Sequence, residues 1–145
     1  MAEWIGMGKR ARRCYGFDEI ALVPGRITMN PEETDTSWEF SGKRFAVPIM
    51  AAAMDGVVDV KFAVEMSRLG GIAVLNLDGV QTRYDNPQEV LEEIANASSQ
   101  EATNLIQKIY TAPIKDKLVA KRVEEIKKAS GYAAVSCIPQ NAAKF

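Results

Sequence analysis

Histidine is missing from this 145-residue chain altogether, and cysteine occurs only twice, at Cys14 and Cys137. Without histidine, a His-based acid–base pair or a histidine-ligated metal cannot be assembled from these residues. Two cysteines so far apart form no metal-binding spacing, so no metal site is expected. Charge of one sign is lacking too: 18 basic residues face 19 acidic ones, for a formal net charge of −1. No global basic field favours nucleic acid or an anionic membrane. No apolar run approaches a membrane span, and the N-terminus has no apolar leader core. The expectation is a cytoplasmic protein with no nucleic-acid or membrane partner.

The densest pattern is the run of residues 45–78, FAVPIMAAAMDGVVDVKFAVEMSRLGGIAVLNLD. Residues 45–53 are apolar and short, predicting a strand buried on both faces, with Pro48 near its start or at an irregular point. Asp59 predicts a helix cap, and Phe62, Ala63, Met66 and Leu69 share one face of the helix that follows. Gly70-Gly71 predicts its left-handed stop. Residues 72–75 then read as a second buried strand. Strand, helix and strand make a βαβ unit on a parallel sheet.

Ligands of such sheets bind beyond the carboxyl ends of the strands. Those ends are 51–56 and 76–79. Small residues there let a flat ring or a phosphate approach the backbone, Met54 offers a soft apolar plate, and a carboxylate can accept from ribose hydroxyls. Tight packing is the commoner reason for small residues at a strand end, and Asp55 reads as well as a helix-entry cap.

Around this unit the chain is plainer. Lys9, Arg10, Arg12 and Arg13 read as a solvated arm rather than a phosphate contact, with Cys14 beside them as an idle thiol. Residues 17–23 form a short amphipathic run before the Pro24-Gly25 turn, and 37–40 a small strand in a polar stretch. Asn86-Pro87-Gln88-Glu89 predicts a capped helix start, with Val90, Leu91, Ile94 and Ala95 inside. A break at Ser98 or Ser99 precedes a second helix through Ala102, Leu105, Ile106 and Ile109. Asp116 predicts the cap of a third, with Leu118, Val119, Val123 and Ile126 buried and Gly131 closing it. Residues 132–138 read as a third strand, and 141–145 as the start of another helix.

Residues 48–76, PIMAAAMDGVVDVKFAVEMSRLGGIAVLN, resemble the first βαβ unit of the IMP dehydrogenase and GMP reductase family. YGFDEIALVPGR, residues 15–26, is similar to the family's opening signature, and the whole is closest to the short bacterial IMP dehydrogenase-like branch without CBS modules. The resemblance implies an α/β fold: the N-terminal portion, about three βα units, of a TIM (β/α)8 barrel, with 1–44 an N-terminal segment and 45–145 the first barrel units. A complete barrel takes about 250 residues, so the chain reads as an incomplete domain.

The implied activity is oxidation of IMP to XMP with NAD, or NADP, as cofactor. A GMP reductase-type enzyme is the nearest alternative, and a non-catalytic half-barrel that binds a complementary chain is a reading from another class. The family's catalytic cysteine lies on a later loop, so the resemblance implies no catalytic residue here, and neither Cys14 nor Cys137 matches it. Ala52, Ala53, Met54 and Asp55 are the implied substrate-binding residues, Met54 standing where a methionine packs on the purine. Ala51 stands where many members have serine. Asn76 and Leu77, the candidate cofactor-binding residues, replace a customary histidine or lysine. A monovalent cation such as K+, a purine nucleotide (IMP, XMP or GMP), the remaining half of the barrel, and tetramers or octamers complete the implied partners.

Overall fold

The computed structural model describes residues 2–145. The chain divides into two units, Met1–Asp35 and Thr36–Phe145. In the first, strands β1 (Ala2–Trp4) and β2 (Arg10–Arg12) pair antiparallel, Trp4 opposite Arg10. Gly6 and Gly8, at φ +98° and +73°, make the reversal that L side chains resist. Part of the expected basic arm is therefore a ribbon in which the Arg10 guanidinium stacks 4.5 Å over Trp4. The expected amphipathic run contains one 3-10 turn, Phe17–Glu19, closed by the Gly16 N–H donating to Glu19 (2.9 Å).

The second unit opens with a hairpin, β3 (Trp38–Phe40) and β4 (Lys43–Phe45), turned through Ser41 and Gly42 at φ +51° and +71°. Trp38 packs on Phe45 across the pair, with ring centroids 5.4 Å apart, and its Nε1 donates to the Val47 carbonyl at 2.8 Å. The unit then runs β5 (Met50–Ala51), α1 (Val60–Arg68), β6 (Ile72–Asn76), α2 (Val80–Arg83), α3 (Pro87–Asn96), α4 (Ala102–Tyr110), α5 (Asp116–Lys128) and β7 (Ala134–Ser136). Strands β5, β6 and β7 form one parallel sheet in that order, Ala51 beside Ala73 and Asn76 beside Ser136. Val58, Ala63, Ala73, Leu75, Leu77, Val119 and Ile126 make the core between sheet and helices.

The structure corrects several expectations. The strand expected across 45–53 is two pieces: Phe45 ends the hairpin, Pro48 has no ladder donor to give, and only Met50–Ala51 joins the sheet. That strand is not buried on both faces, since Met50 is 45% exposed, and among the described residues no strand pairs on its far edge. Asp59 does cap α1, accepting from the Phe62 N–H at 2.7 Å. The buried stripe, however, is rotated to Val60, Ala63 and Met66, leaving Phe62 and Leu69 exposed. The rotation follows from α1 resting on β6 and α5 together.

Asp116 does not cap α5. Lys115 is the N-cap, and the Asp116 carboxylate pairs with Lys144 at 2.6 Å. Nor does Asn86 cap α3 with its side chain, although Pro87 holds the first helical position. Residues 78–83, which their place after the second strand predicts to be a βα loop, contain the single buried turn α2. Residues 141–145 form a turn.

Both α1 and α5 end in the same way. The Gly71 N–H reaches the Met66 carbonyl and the Gly70 N–H that of Ser67, with Gly70 at φ +85°. At α5 the Gly131 and Ser130 N–H groups reach Ile126 and Lys127, and Ser130, not Gly131, holds the left-handed position at φ +60°. Gly131 serves closeness instead: a Cβ there would stand 2.9 Å from Ile126 Cγ2 and 3.3 Å from Val64 Cα. Gly70 serves both needs, since its Cβ would meet that of Ala46 at 2.6 Å. Gly70→Ala is therefore expected to cost about 2 kcal/mol or more, from left-handed strain of about 1–2 kcal/mol plus overpacking. Ser130→Gly, which only relieves strain, is expected to be neutral or stabilising by less than about 1 kcal/mol. Urea unfolding midpoints measure both.

Candidate functional site

The carboxyl ends of the three parallel strands meet on one surface. After Ala51 the chain turns tightly: the Met54 N–H donates to the Ala52 carbonyl (2.8 Å), and the Val57 and Val58 N–H groups both reach the Met54 carbonyl (2.9 Å). Fully buried Val58 anchors the turn in the core. Its outer side presents exposed Ala52, half-buried Ala53 and Met54, which is 57% exposed. Three of the four residues expected to meet substrate thus lie together at the surface.

The fourth, Asp55, points inward. Its Oδ2 accepts the Val80 N–H at 2.9 Å and the Tyr110 hydroxyl, while Oδ1 is enclosed without a hydrogen-bond partner. A Cβ on Gly79 would fall on this carboxylate, so glycine is required there by proximity, at an ordinary φ of −99°. Asp55 joins the exit of β5 to the first turn of α2 and to the end of α4. This is the capping role weighed for it, exercised on α2 rather than on α1. Burial of the Tyr110 phenol, followed by its hydrogen bond to Asp55, pushes its pKa up to about 12.

The two residues expected to meet cofactor separate. Leu77 is 1% exposed and belongs to the core, so its side chain faces away from the strand-end surface. Asn76 stays half-buried at the end of β6, its Oδ1 accepting the Asp78 N–H at 3.0 Å. These two residues alone do not fit a dinucleotide, which needs an open bed and free donors. Asp78, not singled out from the sequence, binds the end of β7 instead. Its Oδ2 accepts the Ile138 N–H and its Oδ1 accepts from Asn141 Nδ2, both at 2.7 Å. A carboxylate immediately beyond a parallel strand, in the segment NLDG, was the available signal.

The segment after β6 is locked from several sides. Thr82 Oγ1 donates to the Leu77 carbonyl at 2.7 Å, Arg83 clamps the Asp78 carbonyl through Nε and Nη2 (3.1 and 3.0 Å), and the Tyr84 hydroxyl donates to the Ile109 carbonyl at 2.8 Å. Arg122, 7% exposed, donates to the Gln81 and Asp85 carbonyls at 3.0 Å each. Cys14 is exposed in the first unit, whereas Cys137 packs half-buried against the core. Among the described residues no group of three His, Cys, Asp or Glu side chains could hold a metal ion, and no helix is long and apolar enough to cross a membrane.

Comparisons with known proteins agree on one grouping. A sequence model of the IMP dehydrogenase / GMP reductase domain matches residues 14–130. An uncharacterised oxidoreductase of Mycolicibacterium smegmatis is 35% identical over 143 residues, covering 95% of this chain and 38% of its own length. An inosine-5'-monophosphate dehydrogenase of Methanocaldococcus jannaschii is 38% identical over 66 residues, 46% of this chain and 13% of its own. The crystal structure of an IMP dehydrogenase/GMP reductase-like protein from Corynebacterium glutamicum superposes with a TM-score of 0.80 at 28% identity, covering 99% of this chain and 40% of that one. The chain thus spans about two fifths of the length of the Mycolicibacterium smegmatis and Corynebacterium glutamicum relatives.

Tyr110 makes the Asp55 junction testable by pH. Its phenol is held neutral in the folded chain up to about 12, against a usual 10, so its contribution to stability is whole below pH 10 and lost as pH rises toward 12. Tyrosinate absorbance is expected to show an ionisation step near pH 12 that Tyr110→Phe removes. If that variant leaves the step in place, the Tyr110–Asp55 bond is not made.

Proposed function

The chain belongs to the IMP dehydrogenase / GMP reductase family, and on that premise we propose that it forms the first βα units of a TIM-barrel oxidoreductase acting on a purine 5′-nucleotide, IMP in the dehydrogenase direction. The observation that carries the proposal is the turn after β5. It leaves Ala52, Ala53 and exposed Met54 at the carboxyl end of a parallel strand while the adjacent carboxylate is folded away as a brace. Small residues expose backbone polar groups to a flat base, and the Met54 thioether supplies a polarisable face for a purine ring. Asp55 acts here by positioning, holding the 52–54 turn against α2, and does not itself touch the nucleotide.

The nucleophile and the bed for the nicotinamide cofactor, NAD or NADP, are proposed to come from residues outside these 145. Two observations support that part. Cys137 is packed against the core rather than presented, and Leu77 offers no surface. Of the strand-end residues beyond the Ala52–Met54 turn, Asn76 retains a free Nδ2 donor for a second ligand. The half-barrel partner reading has a specific observation of its own. Among the described residues β5 and β7 each pair on one side only, leaving two open sheet edges flanked by exposed Ile49, Met50 and Val135. In the proposed enzyme those edges pair with the remaining strands, and a monovalent cation and the tetramer or octamer belong to the completed assembly.

IMP and NAD supplied to the 145-residue chain alone are expected to give no NADH absorbance. Adding a polypeptide with the remaining units of a family member is expected to restore it, and Met54→Ala is expected to raise KM for IMP about tenfold in that mixture. Turnover by the chain alone would overturn the assignment of the chemistry to other residues. Turnover of GMP with NADPH instead of IMP with NAD would reverse the proposed direction.

A further inference from the structure

Sharing no residue with the strand-end surface, a cavity of about 420 Å³ opens where the first turns of α1 and α3 meet α2 and α5. Its size is that of a small-metabolite site. Val60 and Lys61, the first two residues of nine-residue α1, line one side. Pro87 and Gln88, the first two of ten-residue α3, line another. Neither first turn is fully capped. Asp59 accepts only from Phe62, and Asn86 makes no side-chain cap at all.

The second, independent observation is Gln81. This residue is 2% exposed and lines the cavity; its carboxamide makes no hydrogen bond to another described group and opens onto the cavity rather than being sealed in the core. An amide that faces only a cavity takes its partner from whatever fills that cavity. Beside it stands the Arg122 guanidinium, fixed by bonds to the Gln81 and Asp85 carbonyls and to Glu125, with two of its five N–H groups left over.

Unpaired donors decide the class of ligand. Two cations, Lys61 and Arg122, and two carboxylates, Asp59 and Glu125, line the cavity and cancel in number. Both carboxylates are already engaged, Asp59 by the Phe62 N–H and Glu125 by Arg122 (3.2 Å) and Lys121 (3.9 Å). The positive ends of the two helices are partly offset by the Asp59 cap and by Glu89 in the first turn of α3, and Pro87 has no N–H, so what stays unpaired is a set of donors: the Lys61 ammonium, two Arg122 N–H groups, the Gln81 amide and the remaining first-turn N–H groups. We propose that this cavity is a binding site for an oxyanion, phosphate or a phosphate ester, held by Gln81, the spare Arg122 donors and the first turns of α1 and α3.

The test uses the full chain in chloride buffer of constant ionic strength, with inorganic phosphate and ribose 5-phosphate titrated separately. The Gln81 side-chain NH2 signal in the 1H–15N spectrum is expected to shift saturably, and calorimetry to show one site. Gln81→Met, which keeps the volume and removes the polar tip, is expected to weaken binding about tenfold. Lys61→Ala, at an exposed position with no structural bond, is expected to weaken it about threefold. Tighter binding of ribose 5-phosphate identifies a phosphorylated metabolite as the ligand, and equal binding identifies free phosphate. An unmoved Gln81 signal, or equal affinity in Gln81→Met, overturns the proposal. Because the readout is local to Gln81, it stands or falls separately from purine binding at Met54.

Discussion

The hydrogen bond from the Val80 N–H to Asp55 sets where everything at the carboxyl ends of the strands can be. A parallel sheet delivers its strands side by side but leaves the segments beyond them unpaired, since each crossover returns to the opposite end before the next strand begins. Here two carboxylates close that gap. Asp55 ties the exit of β5 to the first turn after β6, and Asp78 ties the exit of β6 to the segment after β7. Each replaces a missing ladder bond with a charge-assisted one, the stronger kind. The glycine at position 79 follows from this arrangement, because the Asp55 carboxylate occupies the space a side chain would need.

A second layer of fixation comes from α5. Arg122 would be costly to bury alone, but carbonyl groups at Gln81 and Asp85 and the carboxylate of Glu125 take up its donors. Its position is thereby set by the single buried turn α2, which is also the turn that Asp55 caps. The packing of α5 and the brace beneath the strand-end surface therefore share a support. Disturbing either moves the other.

Much of this was legible in the sequence, and the failures have physical causes. The βαβ order, the Asp59 cap and the Gly70 stop are local events, written within a few residues of where they act. The split of residues 45–53 turned on a competition the pattern does not show. Phe45 pairs with Trp38 in a hairpin, which takes it out of the parallel sheet. Asp55 illustrates a different limit. Its importance was readable, yet its partners lie 25 and 55 residues away, so its direction was not. Arg122 and Gln81 were passed over because charged and amide side chains are read as surface, and only the fold shows one paired and the other enclosed.

With Asp55 folded inward and Leu77 in the core, the strand-end surface offers a nucleotide little charge of its own. What it offers is shape: a tight turn of small residues, backbone groups made approachable by the lack of side chains, and one polarisable thioether. On the proposed reading, such a bed would take a flat ring of either purine base with little discrimination, because discrimination requires polar groups left unpaired by the wrong base. On that same reading, selectivity would come from side chains brought against this turn from elsewhere. The contribution of these 145 residues is a rigid plate, kept flat from below by the Asp55–Val80 bond.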